Sequence, residues 1–126
     1  MFPQMIRIQQ TFGAPYIPDV SKLTIAKLSK FANSFHIESL EGKRIGITVG
    51  SRGISNIIFV LKSISLFIKS IGGIPYLIPA MGTHGGGCID GQLGILKSLG
   101  ITEESIWATH STNIQTSFLG YSSIGI

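Results

Sequence analysis

Residues 44–88 read RIGITVGSRGISNIIFVLKSISLFIKSIGGIPYLIPAMGTHGGGC, and this stretch decides the fold. Two short apolar segments rich in Ile and Val flank a longer apolar segment, and a glycine-rich loop follows each of the short ones. The predicted order is strand (44–49), loop (50–53), helix (54–71), strand (74–79) and loop (80–87). This order is that of a βαβ unit, whose two strands run parallel.

Because parallel strands end at the same edge of a sheet, the unit predicts that loops 50–53 and 80–87 lie side by side. We therefore expect an α/β fold, a Rossmann-like three-layer domain with a mainly parallel sheet. Pro75 and Pro79 flank the second strand and cannot donate ladder hydrogen bonds, which predicts a short strand or one near an edge of the sheet.

The flanking sequence adds further elements around this unit. Alternating Ile6, Arg7, Ile8 and Gln9 predict a short strand within Met5–Phe12. The other predicted elements are a helix from an Asp19 cap to about Phe35, a helix at Ile89–Leu99 ended by Gly100, a helical turn capped by Thr102, and strands at 106–109 and 114–119.

The chain has 126 residues, which suits one domain spanning residues 1–126. Charged residues make up 13%, well below the roughly 25% of an average domain, so we expect another domain or chain to cover part of the surface. The net charge of +4 is spread without a basic run. This distribution argues against a nucleic-acid-binding surface.

The single cysteine, Cys88, excludes an internal disulfide and predicts a reducing, cytoplasmic location. The amino terminus lacks the basic and apolar regions of a signal peptide. Lys62 and Lys69 interrupt the most apolar segment, 57–71, so we expect a buried helix and no membrane span.

The loop Gly50-Ser51-Arg52-Gly53 has the features of an anion site. Amides at a helix start carry a partial positive charge, and the planar fork of Arg52 suits a carboxylate or phosphate. The alternative is that Arg52 pairs with a carboxylate elsewhere in the chain.

The loop 80–87 places His84 before three consecutive glycines, Gly85 to Gly87. A histidine at a loop tip can serve as general acid and base near neutral pH, whereas the alternative is a histidine that holds the loop by hydrogen bonds. Cys88 is interpreted as a small apolar residue at a helix start. The three histidines and the cysteine lie at no metal-ligand spacing, so we predict no metal site within the chain.

Taken together, these motifs resemble the N-terminal domain of the nickel-pincer-nucleotide lactate racemase (LarA-like) family. The resemblance rests on residues 49–54, 79–86, 91–92 and 99–104, and it covers roughly Met5 to Gly120. It implies an isomerase that racemises or epimerises a 2-hydroxy acid such as lactate. A nickel-pincer nucleotide would accept and return a hydride, and histidines would move the hydroxyl proton.

By this resemblance His84 matches a catalytic histidine, and Val49, Gly50, Ser51 and Arg52 match the loop that holds the cofactor. Val49 departs from the aspartate of the lactate racemase, so the resemblance implies a 2-hydroxy acid without fixing lactate as the substrate. The family is much longer, and its second catalytic histidine, cofactor lysine and nickel-binding histidine lie downstream. We therefore expect a truncated chain that needs a C-terminal domain or partner chain. The alternative is a non-catalytic remnant or a small anion- or nucleotide-binding domain.

Overall fold

A computed structural model describes residues 5–13, 16–111, 118 and 120 of the chain. These residues form a mixed α/β arrangement with a small parallel sheet. The helices and strands, in chain order, are α1 (Val20–Ser34), β1 (Arg44–Val49), α2 (Ile57–Ser70), β2 (Ile74–Pro79), a 3-10 turn (His84–Gly87), α3 (Ile89–Ser98), α4 (Glu103–Ile106) and β3 (Thr109–His110).

The predicted helix ends are confirmed where the sequence carries capping residues. The Asp19 side chain accepts a hydrogen bond from the Lys22 amide at 2.8 Å and starts α1. Thr102 caps α4 through a reciprocal pair of bonds with Ser105. The Glu104 carboxyl accepts hydrogen bonds from its own backbone amide and from the Thr102 side chain, and these hold its pKa below the ordinary value.

The sheet has the order β1-β2-β3, with both neighbouring pairs parallel. β2 is therefore the central strand, so of the two alternatives predicted from its prolines the position near an edge is wrong; the strand is six residues long. The amides of Ile74 and Ala80 bond to the β1 side, at Lys43 and Val49. By alternation the positions of Pro75 and Pro79 face β3, which among the described residues pairs only with Tyr76 and Leu77. Pro75 and Pro79 thus lack N–H groups at positions that lie outside the paired part of β3.

The hydrophobic core lies between one face of the sheet and the helices. Its members are the buried side chains of the sheet, the helices and the segments after them: Ile47, Val49, Leu61, Ile68, Leu77, Met81, Leu96, Ile101, Ile106 and Ala108. α1 packs against α2 at the side of this layer.

The opposite face of the sheet is open in the described part of the chain. Arg44, Gly46 and Thr48 are exposed, Ile74 is 51% exposed, and the Arg44 guanidinium lies 4.8 Å from the Tyr76 ring centre. The described residues thus form two layers, and the third layer of the predicted Rossmann-like arrangement is not among them.

Three further predictions are corrected. The helix expected from Ile54 begins at Ile57, because Asn56 has a left-handed conformation at φ 62° and interrupts it. Residues 5–13 lie outside any helix or strand, so the strand expected within Met5–Phe12 is not formed. Ile106 belongs to α4, and the strand begins at Thr109. Most of the strand expected at 114–119 lies outside the described residues.

No helix in the described ranges combines the length and the apolar character that a membrane crossing requires.

Candidate functional site

The two loops predicted to lie together do meet at the carboxyl edge of the sheet. β1 and β2 pair in parallel from Arg44 and Ile74 to Val49 and Pro79, so the loops after them begin side by side. The Nδ1 atom of His84 lies 2.6 Å from the Ser51 hydroxyl oxygen, within hydrogen-bond distance. This contact joins the tips of two loops that are 33 positions apart in the chain.

His84 keeps one ring nitrogen available for chemistry. The ring is exposed, and within the described part of the chain only Nδ1 has a hydrogen-bond partner. If Nδ1 carries the proton and donates to Ser51, the lone pair of Nε2 can accept a proton from a ligand. The hydrogen bond therefore holds the ring between the loops without using up its capacity as acid or base.

The first loop is longer than predicted, which removes one of the two features expected to make it an anion site. Because α2 starts only at Ile57, residues 50–53 do not provide the first-turn amides of that helix. Arg52 is exposed, and among the described residues it forms no ion pair. Its guanidinium is thus free for an external carboxylate or phosphate, and the alternative of an internal ion pair is not realised there.

The second loop bends tightly and rests on the start of α3. Four glycines of this loop have positive φ angles between 59° and 73°, a conformation that residues with side chains rarely adopt: Gly82, Gly85, Gly86 and Gly87. A β-carbon added to Gly91 would overlap the carbonyl oxygen of Gly85. The loop can therefore approach the first turn of α3 only because both contact positions lack side chains.

Gln92 fixes the same loop and was not singled out as a site residue from the sequence. It is buried, and its Nε2 donates to the carbonyl oxygen of Gly82 at 2.9 Å. Its Oε1 is buried without a hydrogen-bond partner among the residues described. The sequence offered two signals: Gln92 follows a glycine-rich loop by about one helical turn, and it is one of the residues 91–92 that carry the family resemblance.

The sequence-predicted residues of the first loop differ in their surroundings. Val49 is 5% exposed, its side chain lies in the core, and its carbonyl accepts from the Ala80 amide. Ser51 is half-buried and contacts His84, whereas Gly50 and Arg52 are exposed. Val49 thus positions the loop, and the three residues after it form the accessible part.

His36 and His110 lie outside the two loops, and Cys88 directly follows the second loop. His36 is exposed on the connection after α1. The His110 backbone amide donates to Glu103 Oε1 at 2.8 Å, and His110 Nδ1 lies 3.7 Å from the same oxygen. Cys88 is exposed, and its Sγ lies 3.3 Å from the Gly85 carbonyl oxygen.

The nickel-pincer nucleotide implied by the resemblance needs a group that binds its phosphate and ligands for its nickel ion. Arg52, exposed and without a carboxylate partner, suits the phosphate part of a nucleotide. Within residues 5–13 and 16–111, no group of three His, Cys, Asp or Glu side chains is placed to hold a metal ion. The site therefore fits the anionic part of the cofactor, and nickel ligands would have to come from elsewhere.

Ser51→Ala tests the contact between the loops. Loss of the hydroxyl is expected to remove the preference for one tautomer of the neutral His84 ring, because the Nδ1 partner is gone. Long-range ¹H–¹⁵N NMR of the ring reads the tautomer directly. Ser55→Ala, an exposed position in the same loop, should leave the His84 signals unchanged. Unaltered His84 signals in Ser51→Ala would refute the contact.

Searches with this chain against protein-family models, curated proteins and solved structures gave no significant match. The functional assignment therefore depends on the residues and geometry described above.

Proposed function

We propose that this chain forms the N-terminal half of a nickel-pincer-nucleotide-dependent racemase or epimerase of 2-hydroxy acids. The observation that carries the proposal is the 2.6 Å contact between His84 and Ser51. It joins the two loops on which the LarA-like resemblance depends, and it does so at the edge where ligands of parallel α/β sheets bind.

The proposed chemistry requires a proton carrier at the hydroxyl group of the substrate. His84, with Nδ1 at Ser51 and no partner at Nε2 among the described residues, would take this proton from the hydroxyl oxygen and return it to the same oxygen. The bound cofactor would supply hydride acceptance. Arg52 would hold an anionic group, either a phosphate of the cofactor or the substrate carboxylate, by a two-pronged contact.

The site also needs groups that the described residues do not provide. Nickel ligands, a second proton carrier and a covering wall would come from a C-terminal domain or partner chain. The open face of the sheet, with Ile74 half exposed, offers room for a further layer of a Rossmann-like three-layer domain. A cytoplasmic enzyme is consistent with the unpaired, exposed Cys88.

A second candidate function is anion or nucleotide binding without turnover. It is favoured by the exposed Arg52, which has no ion pair in the described part of the chain, together with the lack of a metal-binding group there. In this case loops 50–53 and 80–87 would bind a phosphate, and His84 would only shape the loop.

Racemisation assays distinguish the two functions. The chain is combined with a LarA-like C-terminal domain and the nickel-pincer nucleotide, and conversion of L-lactate and longer 2-hydroxy acids is followed by chiral chromatography. Stereochemical conversion that requires this chain supports the enzyme. Binding of inorganic phosphate or a nucleotide, lost in Arg52→Gln and without any conversion, would instead establish the second function.

A further inference from the structure

In the described part of the chain β1 pairs on one side only, and the backbone groups on its other side can be assigned. Lys43 and Val49 carbonyls accept bonds from β2, so odd-numbered residues of β1 point their backbone groups towards β2. By alternation the N–H and C=O groups of Gly46 and Thr48 point to the opposite side. β1 is the first strand in the order β1-β2-β3, and an exposed edge of this kind is a template for another strand.

An apolar groove runs along this edge, beneath α1. It encloses about 470 Å³ and is lined by the free side of β1 and by apolar side chains of the flanking helices and the following connection, including Leu28, Phe31, Ile37, Ile64 and Phe67. Gly46 and Thr48 also line it. α1 thus extends beyond the β1 edge of the sheet. In α/β folds helices pack over strands, so a further strand would ordinarily lie beneath α1.

α1 runs parallel to α2, which sets the direction of the missing strand. The start of α1 lies beside the start of α2, around Asn56 and Phe59, and its end lies beside Phe67 and Ile71. α2 connects β1 to its parallel neighbour β2. α1 precedes β1 just as α2 precedes β2, and the two helices run in the same direction. A right-handed crossover through α1 requires a preceding parallel strand on the free side of β1.

The segment before α1 has the pattern that such a strand needs. Ile6 and Ile8 alternate with Arg7 and Gln9, which gives one apolar and one polar face. In the structure this segment contacts little, since Ile6 is 84% and Ile8 is 85% exposed. Ile6 and Ile8 are thus left exposed, and none of the described residues occupies the apolar groove on the free side of β1.

We propose that residues 5–12 dock along the free edge of β1 as a fourth, parallel strand, with Ile6 and Ile8 facing α1. Residues 13–19 link this strand to α1, and seven residues are close to the usual length of a strand-to-helix connection. The 15 residues of α1 span about 22 Å, which matches the return path beside a six-residue strand. Docking covers the two isoleucines and pairs the edge amides.

Docking also adds a third loop to the candidate site. The carboxyl end of a parallel strand reaches the same edge as loops 50–53 and 80–87. Gly13, the first residue after the docked strand, would therefore lie beside Gly50. The segment thus forms a wall of the site on the side of the first loop.

Hydrogen exchange at single amides of the full chain tests this docking. The Gly46 and Thr48 amides are expected to exchange roughly tenfold or more slowly in the unmodified chain than in Ile8→Lys, which places a charge in the groove. Gln9→Lys adds the same charge on the other face and should keep the protection. The measurement does not depend on racemase activity, so its outcome is separate from that of the proposed function.

Two results would overturn the proposal. Fast exchange at Gly46 and Thr48 in the unmodified chain, equal to that in Ile8→Lys, would show an empty edge. Protection that rises with protein concentration together with a dimer in light scattering would identify the occupant as a second copy. Ile8 is not among the residues of the buried core, so Ile8→Lys should leave that core folded whichever result is obtained.

Discussion

His84→Asn is expected to lower the racemisation rate of the assembled enzyme by about a hundredfold or more, the usual contribution of a general acid and base. Asparagine is similar in size and can keep a hydrogen bond to Ser51, but its amide is neither an acid nor a base near neutral pH. The loss would thus report proton transfer and not the shape of the loop. Initial rates of D-lactate formation from L-lactate measure it.

His36→Asn is the matched control. His36 is exposed on the connection after α1 and has a left-handed conformation at φ 53°, which asparagine adopts readily. The rate should stay at that of the unmodified chain. If His84→Asn kept full activity while its circular dichroism matched the parent, the role of His84 in proton transfer would be wrong, although the fold would stand.

Gly91→Ala is expected to lower the free energy of unfolding by about 3 kcal/mol, at the upper end of the cost of overpacking. The added β-carbon would overlap the Gly85 carbonyl oxygen, which is backbone and cannot rotate away. Either α3 or the loop that carries His84 must then move. Urea denaturation followed by circular dichroism measures the change in free energy.

Gly94→Ala supplies the control in the same helix. Gly94 also lies within α3, but a β-carbon there meets nothing within 4 Å. Alanine favours a helix over glycine by about 1 kcal/mol, so Gly94→Ala should raise the stability. Equal effects of the two substitutions would show that helix propensity, and not the contact with Gly85, governs this position.

The elements that the sequence predicted well are those with local physical causes. Asp19 and Thr102 cap helices through bonds within the first turn, and Gly100 ends α3 at φ 75°. The strands at 44–49 and 74–79 follow from their apolar runs. Because parallel pairing follows from one helical connection, the meeting of loops 50–53 and 80–87 was also predictable.

The prediction was wrong where a neighbour not visible in the local sequence decides the outcome. Pro75 and Pro79 predicted a short strand or one near an edge, yet β2 is central. The prolines are tolerated there because, in the described part of the chain, β3 pairs only with Tyr76 and Leu77. The left-handed conformation of Asn56 delays α2 by three residues beyond the predicted start at Ile54. The alternation within Met5–Phe12 predicted a strand, but a strand forms only where another strand pairs with it.

The sequence by itself determined the βαβ order, the helix caps and the choice of Arg52 and His84 as candidate site residues, because each depends on residues close together in the chain. Only the tertiary structure decided that Ser51 is the partner of His84, that Gln92 and Gly91 hold the glycine-rich loop on α3, and that β1 has a free edge. These features depend on distances between segments far apart in the chain, which packing of the core sets and no local pattern encodes.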